Sequence, residues 1–307
     1  MNLNKNIVVF GGTGYYGRHI VRSLLGNGII PAVISRNAEN AYAMFDGQAK
    51  IIEGDVTDIQ LVRKALKNQE AVIICLSAVK PGLIRRMKEI EYDSVIDIIN
   101  VAKEYGIDRL VLLSVYTMRM DVLEKLGIPE FGKLKFELEK VVMSSGLNWT
   151  ILGCAPSMEL FFAFLRNRKM AVPGGGRKKV PSVAAKDVGI IAAKAAMRND
   201  LAGKRFKLTG TEAYSFPEVA GIISQKTGKS IKHLALPLPL INFASAILLP
   251  FYPYVRYLYK SLRLLNNFPE DEADKVPDEY TCLSEAFGHR LQSLNDYISE
   301  KIAKHEL

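Results

Sequence analysis

Cysteine and histidine are both scarce in this chain. Three thiols, Cys75, Cys154 and Cys282, stand in 307 residues. An odd, widely spaced set in mostly apolar contexts supports neither a disulfide framework nor a zinc site, and it fits a reducing cytoplasm. His19, His233, His289 and His305 lie far apart. They show no metal-ligand spacing, and no GxSxG elbow accompanies them, so zinc and serine-hydrolase chemistry lose their usual signatures. Charge of one sign never forms a run of five. The net charge of +9 is spread over Arg85-Arg86-Met87-Lys88, residues 166–169 and Arg177-Lys178-Lys179, without a helix-turn-helix or zinc pattern. Solvated faces and a phosphate-rich ligand explain it better than nucleic acid. The start of the chain has no apolar signal region. The apolar stretch 234–259 is interrupted by Pro237, Pro239, Pro250 and Pro253, well short of the ~20 residues of a membrane span. It reads as core or pocket lining, with a short buried or lid helix over 241–249 and a peripheral membrane-surface contact as the weaker alternative.

Glycine, by contrast, is placed with purpose near the start. The run Ile7-Val8-Val9-Phe10 leads into Gly11, Gly14 and Gly17, spaced GxxGxxG, and then into a helix-like segment over 19–25. This is the sequence form of a strand, a tight turn and a helix N-terminus. Gly11 allows the sharp turn, Gly14 the close approach of a pyrophosphate, and Gly17 tight helix–strand packing. The amides of Thr13, Tyr15, Tyr16 and Gly17, at the positive end of the helix dipole, are the expected donors to an anion. The flanking strand and helix favour dinucleotide binding over a merely structural turn.

After this turn, strands and helices alternate. Strands are expected at 30–34, 49–53, 71–76, 109–114 and 149–152, and helices at 39–45, 59–66, 83–105 and 136–145. In the long helix Val95, Ile98, Ile99 and Ala102 form a stripe, and Gly106 sits where a C-cap glycine belongs. Repeated βα units imply an α/β fold: a doubly wound parallel sheet of Rossmann type with ligands at the carboxyl ends of its strands. Beyond about 155 the rhythm changes. Residues 1–155 are expected to form the cofactor domain. Residues 156–307 form a smaller C-terminal lobe, packed on it, interleaved with it and lining the substrate pocket. In that lobe Pro173-Gly174-Gly175-Gly176 reads as a loop, 187–197 as a helix and 205–208 as a strand. Ser215-Phe216-Pro217-Glu218 reads as a capping box opening a helix that Gly228 ends. Helical residues 281–304 are suited to dimerise or to cover the pocket.

Taken in order, these pieces resemble the NmrA-like group of atypical short-chain dehydrogenase/reductases. The likeness lies in the GGTGYYG turn, Ser35-Arg36-Asn37, Gly54-Asp55-Val56-Thr57-Asp58, Leu76-Ser77-Ala78, Leu112-Leu113-Ser114, Lys135 through Glu139 to 145–152, residues 183–188 and Leu208-Thr209-Gly210. It covers roughly 5–235. The resemblance implies an NAD(P)-binding oxidoreductase. Asp55 and Val56 match the pair that meets the adenine, and Leu76, Ser77 and Ala78 match the strand end flanking the nicotinamide ribose. Asp55 also suits a helix cap near Asp58, and the two roles can coexist. Arg36 stands where a residue meets the adenosine ribose. No carboxylate there holds a free 2′-OH, and its guanidinium, with Ser35 as a second donor, suits a 2′-phosphate, so NADP is favoured over NAD.

Lys135 is the catalytic candidate that the resemblance implies. In short-chain reductases a lysine one turn after a tyrosine binds the nicotinamide ribose and lowers the phenol's pKa. Here that position is Phe131, which has no ionisable proton. Lys133 shares the segment, and the spacing to Glu139 aligns Lys135 instead. Hydride transfer itself needs the nicotinamide and acceptor to face each other in a dry pocket. Ser114, Tyr116 and Tyr92, or Lys135 through water, are then the candidate proton donors. The family's Arg-Pro after the sixth strand reads Gly153-Cys154-Ala155-Pro156. Ser157, Met158, Phe161 and Phe162 would begin an apolar substrate wall, although helix packing explains them equally well. The leading expectation is an NADPH-dependent reductase of a small apolar carbonyl, enone or quinone. A non-enzymatic NAD(P) sensor or assembly protein is the alternative, and a sugar-nucleotide epimerase or dehydratase ranks last.

Overall fold

Short runs of β-branched residues, buried on both faces, build the centre of this molecule. The computed structural model describes residues 5–117, 119–238 and 252–307. In chain order its strands are β1 (Ile7–Phe10), β2 (Ala32–Ser35), β3 (Lys50–Glu53), β4 (Ala71–Ile74), β5 (Arg109–Val115), β6 (Asn148–Cys154), β7 (Leu165–Arg166), β8 (Lys169–Pro173), β9 (Lys204–Leu208) and β10 (Lys232–Leu236). Every residue of β1, β2 and β4 is buried. Seven strands form a parallel sheet in the order β3-β2-β1-β4-β5-β6-β9. Val8 lies opposite both Ala32 and Val72, so the order reverses about β1. The carboxyl ends of β1 and β4 thus flank the switch point where such sheets bind ligands.

Helices α1 (Gly17–Gly26), α2 (Ala38–Met44) and α3 (Ile59–Leu66) follow the first three strands. They are succeeded by α4 (Ser94–Glu104), α5 (Met120–Lys125), α6 (Glu130–Met143), α7 (Glu159–Phe162), α8 (Ala185–Met197) and α9 (Phe216–Thr227). One face of the sheet buries Phe10, Ile34, Val72, Ile98, Leu110 and Ile151 with Leu138 and Val142 of α6. Elsewhere α1 and α8 meet closely, because a Cβ on Gly189 would lie 2.5 Å from the His19 carbonyl oxygen.

The chain forms two compact units. The first comprises Met1–Tyr116, Lys133–Cys154 and Ala185–Lys207, and the second Thr117–Gly132, Ala155–Ala184 and Leu208–Leu307. The chain crosses between the units at 154–155, beside the expected boundary, and also at 116–117, 132–133, 184–185 and 207–208. Residues 185–207 return to the first unit because β9 joins the sheet beside β6, where Gly203 N–H donates to Trp149 O at 2.7 Å. The second unit carries a small sheet, β10-β8-β7, which was not foreseen.

The expected helix over 83–105 is a correction. The segment is a 3-10 turn at Ile84–Arg86, a π turn at Glu89–Asp93, and only then α4. The buried Ser94 hydroxyl donates to Glu89 O at 2.8 Å, five residues back, across the widened turn. Helix α6 begins at Glu130, earlier than the expected 136. The expected helical stretch 281–304 is two helices, Val276–Phe287 and Leu294–Ala303, divided at Gly288 (φ 53°). The capping box of α9 forms as expected: Glu218 N–H donates to Ser215 Oγ, Ser215 N–H to Glu218 Oε2, and Gly228 ends the helix at φ 67°. The helix expected over 241–249 lies outside the described residues. Among the described residues no helix is long and apolar enough to cross a membrane.

Candidate functional site

The first unit gathers most of the candidate residues along the carboxyl edge of its sheet. β1 ends at Phe10, and Gly11 turns the chain at φ 86°, so close to β4 that a Cβ would lie 2.6 Å from Cys75 O. Gly14 N–H closes the turn on Gly11 O at 2.9 Å. A Cβ on Gly17 would stand 2.0 Å from that same oxygen. Around Gly14 a Cβ would meet only Gly11 O, at 3.0 Å, which leaves its other sides open to an approaching group. Gly12, not singled out in the sequence, packs between Val33 and Val21. No side-chain cap closes the start of α1, so the turn fits a diphosphate both sterically and electrostatically. Thr13 is half-buried beside it. Tyr15 is 41% exposed with the Arg18 guanidinium 5.3 Å from its ring centre. Burial, then Cys154 and Tyr15, push the Tyr16 phenol well above its usual pKa.

At the end of β2 the Ser35 hydroxyl donates to Asn37 O at 2.9 Å and accepts from Asn37 N–H at 3.2 Å. Its hydroxyl caps this local turn at the strand end where the second phosphate donor is expected. Arg36 is exposed at the same strand end. Asp55 accepts from Thr57 N–H at 3.2 Å and Thr57 Oγ1 at 3.1 Å, and it pairs with Arg86 Nη1 at 3.1 Å. Desolvation pushes this carboxyl up, but the bonds from Thr57 and Arg86 outweigh it and hold it below the usual range. Asp55 is not the helix cap. Asp58 is, accepting from Gln60 N–H at 2.9 Å. The Val56 side chain turns into the core.

At the end of β4, Leu76 is half-buried, Ser77 exposed and Ala78 fully buried. Ala78 N–H donates to Glu91 Oε1 at 2.6 Å, and Lys135 Nζ lies 2.7 Å from Glu91 Oε2. The structure thus joins two expected site residues through a third that the sequence reading missed. Lys133 is exposed and 3.9 Å from Glu137, so Lys135 alone of the two reaches this edge. Ser114 lies on β5 opposite Gly153, with its hydroxyl buried and without a hydrogen-bond partner among the described residues, Lys135 included. Tyr116 is buried under Lys207, which lies 5.3 Å from its ring centre. Arg205 pairs with Glu139 at 2.8 Å and donates to Val115 O at 2.8 Å. Tyr92 packs against the core with Lys88 near its ring.

In the second unit Phe131 sets its ring 5.0 Å from that of Tyr257. Met158 and Phe161 are fully buried, and Phe161 packs edge-on against Phe216 at 4.9 Å, so these two belong to a core rather than to a substrate wall. Phe162 instead lines a cavity of about 260 Å³ with Leu165, Ile223 and Ile231, and Ser157 bridges Val183. Among the described residues no group of His, Cys, Asp and Glu could hold a metal ion.

The family model described as the NmrA-like family matches residues 3–300. The photosystem II assembly factor Ycf39 of Synechocystis sp. is 22% identical over 241 residues, covering 77% of this chain and 72% of that protein. An NADPH-dependent quinone oxidoreductase of Escherichia coli, solved with NADPH, matches with a TM-score of 0.73 at 22% identity, over 96% of this chain and 99% of its own. The triphenylmethane reductase of Citrobacter sp., solved with NADP(H), matches with a TM-score of 0.73 at 18% identity, again over 96% and 99%. At such identities the likeness of structure is one of fold.

Proposed function

The chain belongs to the NmrA-like family, and from that premise we propose that it is an NADPH-dependent reductase acting on a small apolar carbonyl, enone or quinone without the usual tyrosine. The observation that carries this reading is Lys135, whose ammonium is held beside Ala78 on the sheet edge that also bears the glycine turn. When bound, the nicotinamide supplies the hydride. The turn's amides and the start of α1 bind the diphosphate, with Gly14 admitting its close approach. Arg36 takes the 2′-phosphate, and the Asp55–Val56 backbone borders the adenine. Lys135 donates to the nicotinamide ribose. Ser114 Oγ, buried and unpartnered, hydrogen-bonds the acceptor oxygen and, with Lys135 through water, moves a proton to it. Two structural relatives named as reductases and solved with NADP(H) support the class.

Calorimetric binding of NADP⁺, NADPH, NAD⁺ and NADH at one ionic strength is the first test, followed by NADPH oxidation with a panel of quinones, enones and aldehydes. Tight NADPH binding with turnover of at least one acceptor class is expected; binding of none of the four nucleotides would overturn the site. Arg36→Ala is expected to weaken NADPH about tenfold, the worth of one charge-assisted contact, while NADH changes little. Equal losses would remove the 2′-phosphate assignment.

A second reading, a non-enzymatic NAD(P) sensor or assembly protein, is favoured by Phe131, which holds the position the resemblance gives to the reacting tyrosine and sets its ring 5.0 Å from that of Tyr257. A relative named as an assembly factor supports it. It requires oxidised and reduced cofactor to bind with different affinity and no acceptor to turn over. The epimerase reading depends on the same missing tyrosine and ranks last.

A further inference from the structure

We propose that Glu91 is the positioning residue of this site: its buried carboxylate clamps the Lys135 ammonium and the Ala78 amide together, so that both meet the nicotinamide ribose as one preformed edge. The inference rests on the reductase reading above and names what sets the place of its lysine.

The stoichiometry of the clamp is closed on one side and open on the other. Glu91 is 2% exposed, and a carboxyl group so buried needs hydrogen-bond partners for both oxygens. Oε1 accepts from Ala78 N–H at 2.6 Å and Oε2 takes Lys135 Nζ at 2.7 Å. An ammonium carries three N–H groups. One faces Glu91, and with the Lys135 side chain 19% exposed the other two remain for the pair of ribose hydroxyls.

The neighbours do not exchange with this pair. On the same π turn Glu89 is held by Arg86 at 2.8 Å and Asp93 by Lys88 at 2.5 Å. On α6, Lys133 faces Glu137, Lys140 lies over the Phe136 ring, and Glu139 is held by Arg205. Glu91 is the charged partner of Lys135 among the described residues. The π turn is the local cause: Glu91 lies inward beside Ile90, which is also buried, while its acidic neighbours stay at the surface. Widened turns of this kind recur where a side chain is re-aimed at a working site.

Glu91→Gln tests the clamp directly. An amide offers one acceptor and an NH₂ to two donors, so it satisfies one and opposes the other. Three readouts follow: the ¹³Cε chemical shift of Lys135 without nucleotide, the Kd for NADPH, and the same substitution in a Lys135→Met background. E91Q is expected to move the Lys135 ¹³Cε signal, because the side chain leaves its clamp. NADPH binding should weaken about tenfold, and E91Q should add no further loss in the Lys135→Met background. Glu91→Asp keeps the charge but is one methylene shorter. It should bring the signal back toward its wild-type position with only part of the affinity, and it stands in if E91Q fails to fold. An unmoved Lys135 signal, or equal losses in the wild-type and Lys135→Met backgrounds, would overturn the positioning role. Failure of the wild-type protein to bind any nicotinamide nucleotide is a separate outcome, seen before any variant, that overturns the reductase reading and the ribose named here.

Discussion

Gly14 and Gly17 share a motif but answer to different neighbours. At Gly17 a Cβ would lie 2.0 Å from a backbone oxygen that cannot move without breaking the turn, whereas at Gly14 it meets that oxygen at 3.0 Å and nothing else. Gly17→Ala is therefore expected to destabilise the fold by about 3 kcal/mol or more. Gly14→Ala should cost about 1 kcal/mol or less in urea denaturation, yet weaken NADPH at least tenfold by filling the space a phosphate needs. Equal stability losses would contradict this division. These glycines were legible because their constraint is backbone sterics, which spacing alone reveals. Lys135 was legible through its place in the same pattern. Glu91 was not, because it acts through a contact between residues far apart in sequence. Nor was Ser35's local turn with Asn37, since a hydroxyl's choice between backbone and ligand leaves no mark in the sequence.

At the scale of elements, Arg109 does what no apolar pattern could announce. It opens β5 at 1% exposure and donates from Nε to Ala195 O at 3.0 Å, from Nη1 to Asn148 O at 2.5 Å and from Nη2 to Thr150 Oγ1 at 2.7 Å. Thr150 passes the chain on to Leu201 O at 2.6 Å. One guanidinium thus closes carbonyls at the end of α8 and on β6, and although burial lowers its pKa to about 10 it stays charged at neutral pH. Arg109→Met would strip three guanidinium donors from buried acceptors, leaving Ala195 O only the 3.3 Å bond from Arg198 N–H. The expected cost is about 3 kcal/mol, and Arg109→Lys should lose nearly as much because a point charge cannot span three acceptors. A urea midpoint close to wild type for either variant would refute this account. The βα alternation itself was readable because buried parallel strands are continuous apolar runs. The π turn was not: the stripe from Val95 to Ala102 is truly helical, but extending it back to 83 assumed a uniform period that the 3-10 turn at Ile84–Arg86 and the widened turn interrupt.

At the scale of the whole molecule, the return of 185–207 to the first sheet escaped the sequence because local rhythm says what a strand is, not which sheet it joins. The same sheet sets how stability responds to pH. Desolvation pushes the thiols of Cys75 and Cys154 up to about 12 from the ordinary 9.0. Their protonated forms donate to Phe10 O and Leu152 O. A folded pKa raised above the unfolded one gives a contribution that is complete below about 9 and lost as pH climbs toward 12, because the unfolded chain releases protons that the folded chain must keep. The carboxyls of Asp55 and Glu218, held low by their donors, act in the opposite sense and are lost only as pH falls below about 4. From these thiols, stability should decline on the alkaline side from about pH 9. In reductant, the urea midpoint is expected to fall less steeply over that range in a Cys75→Ala/Cys154→Ala variant than in the wild type. An identical alkaline decline would mean that other groups, not these thiols, set the limb. Thiols held protonated are also poor nucleophiles, so near neutral pH neither Cys75 nor Cys154 offers this sheet edge a thiolate.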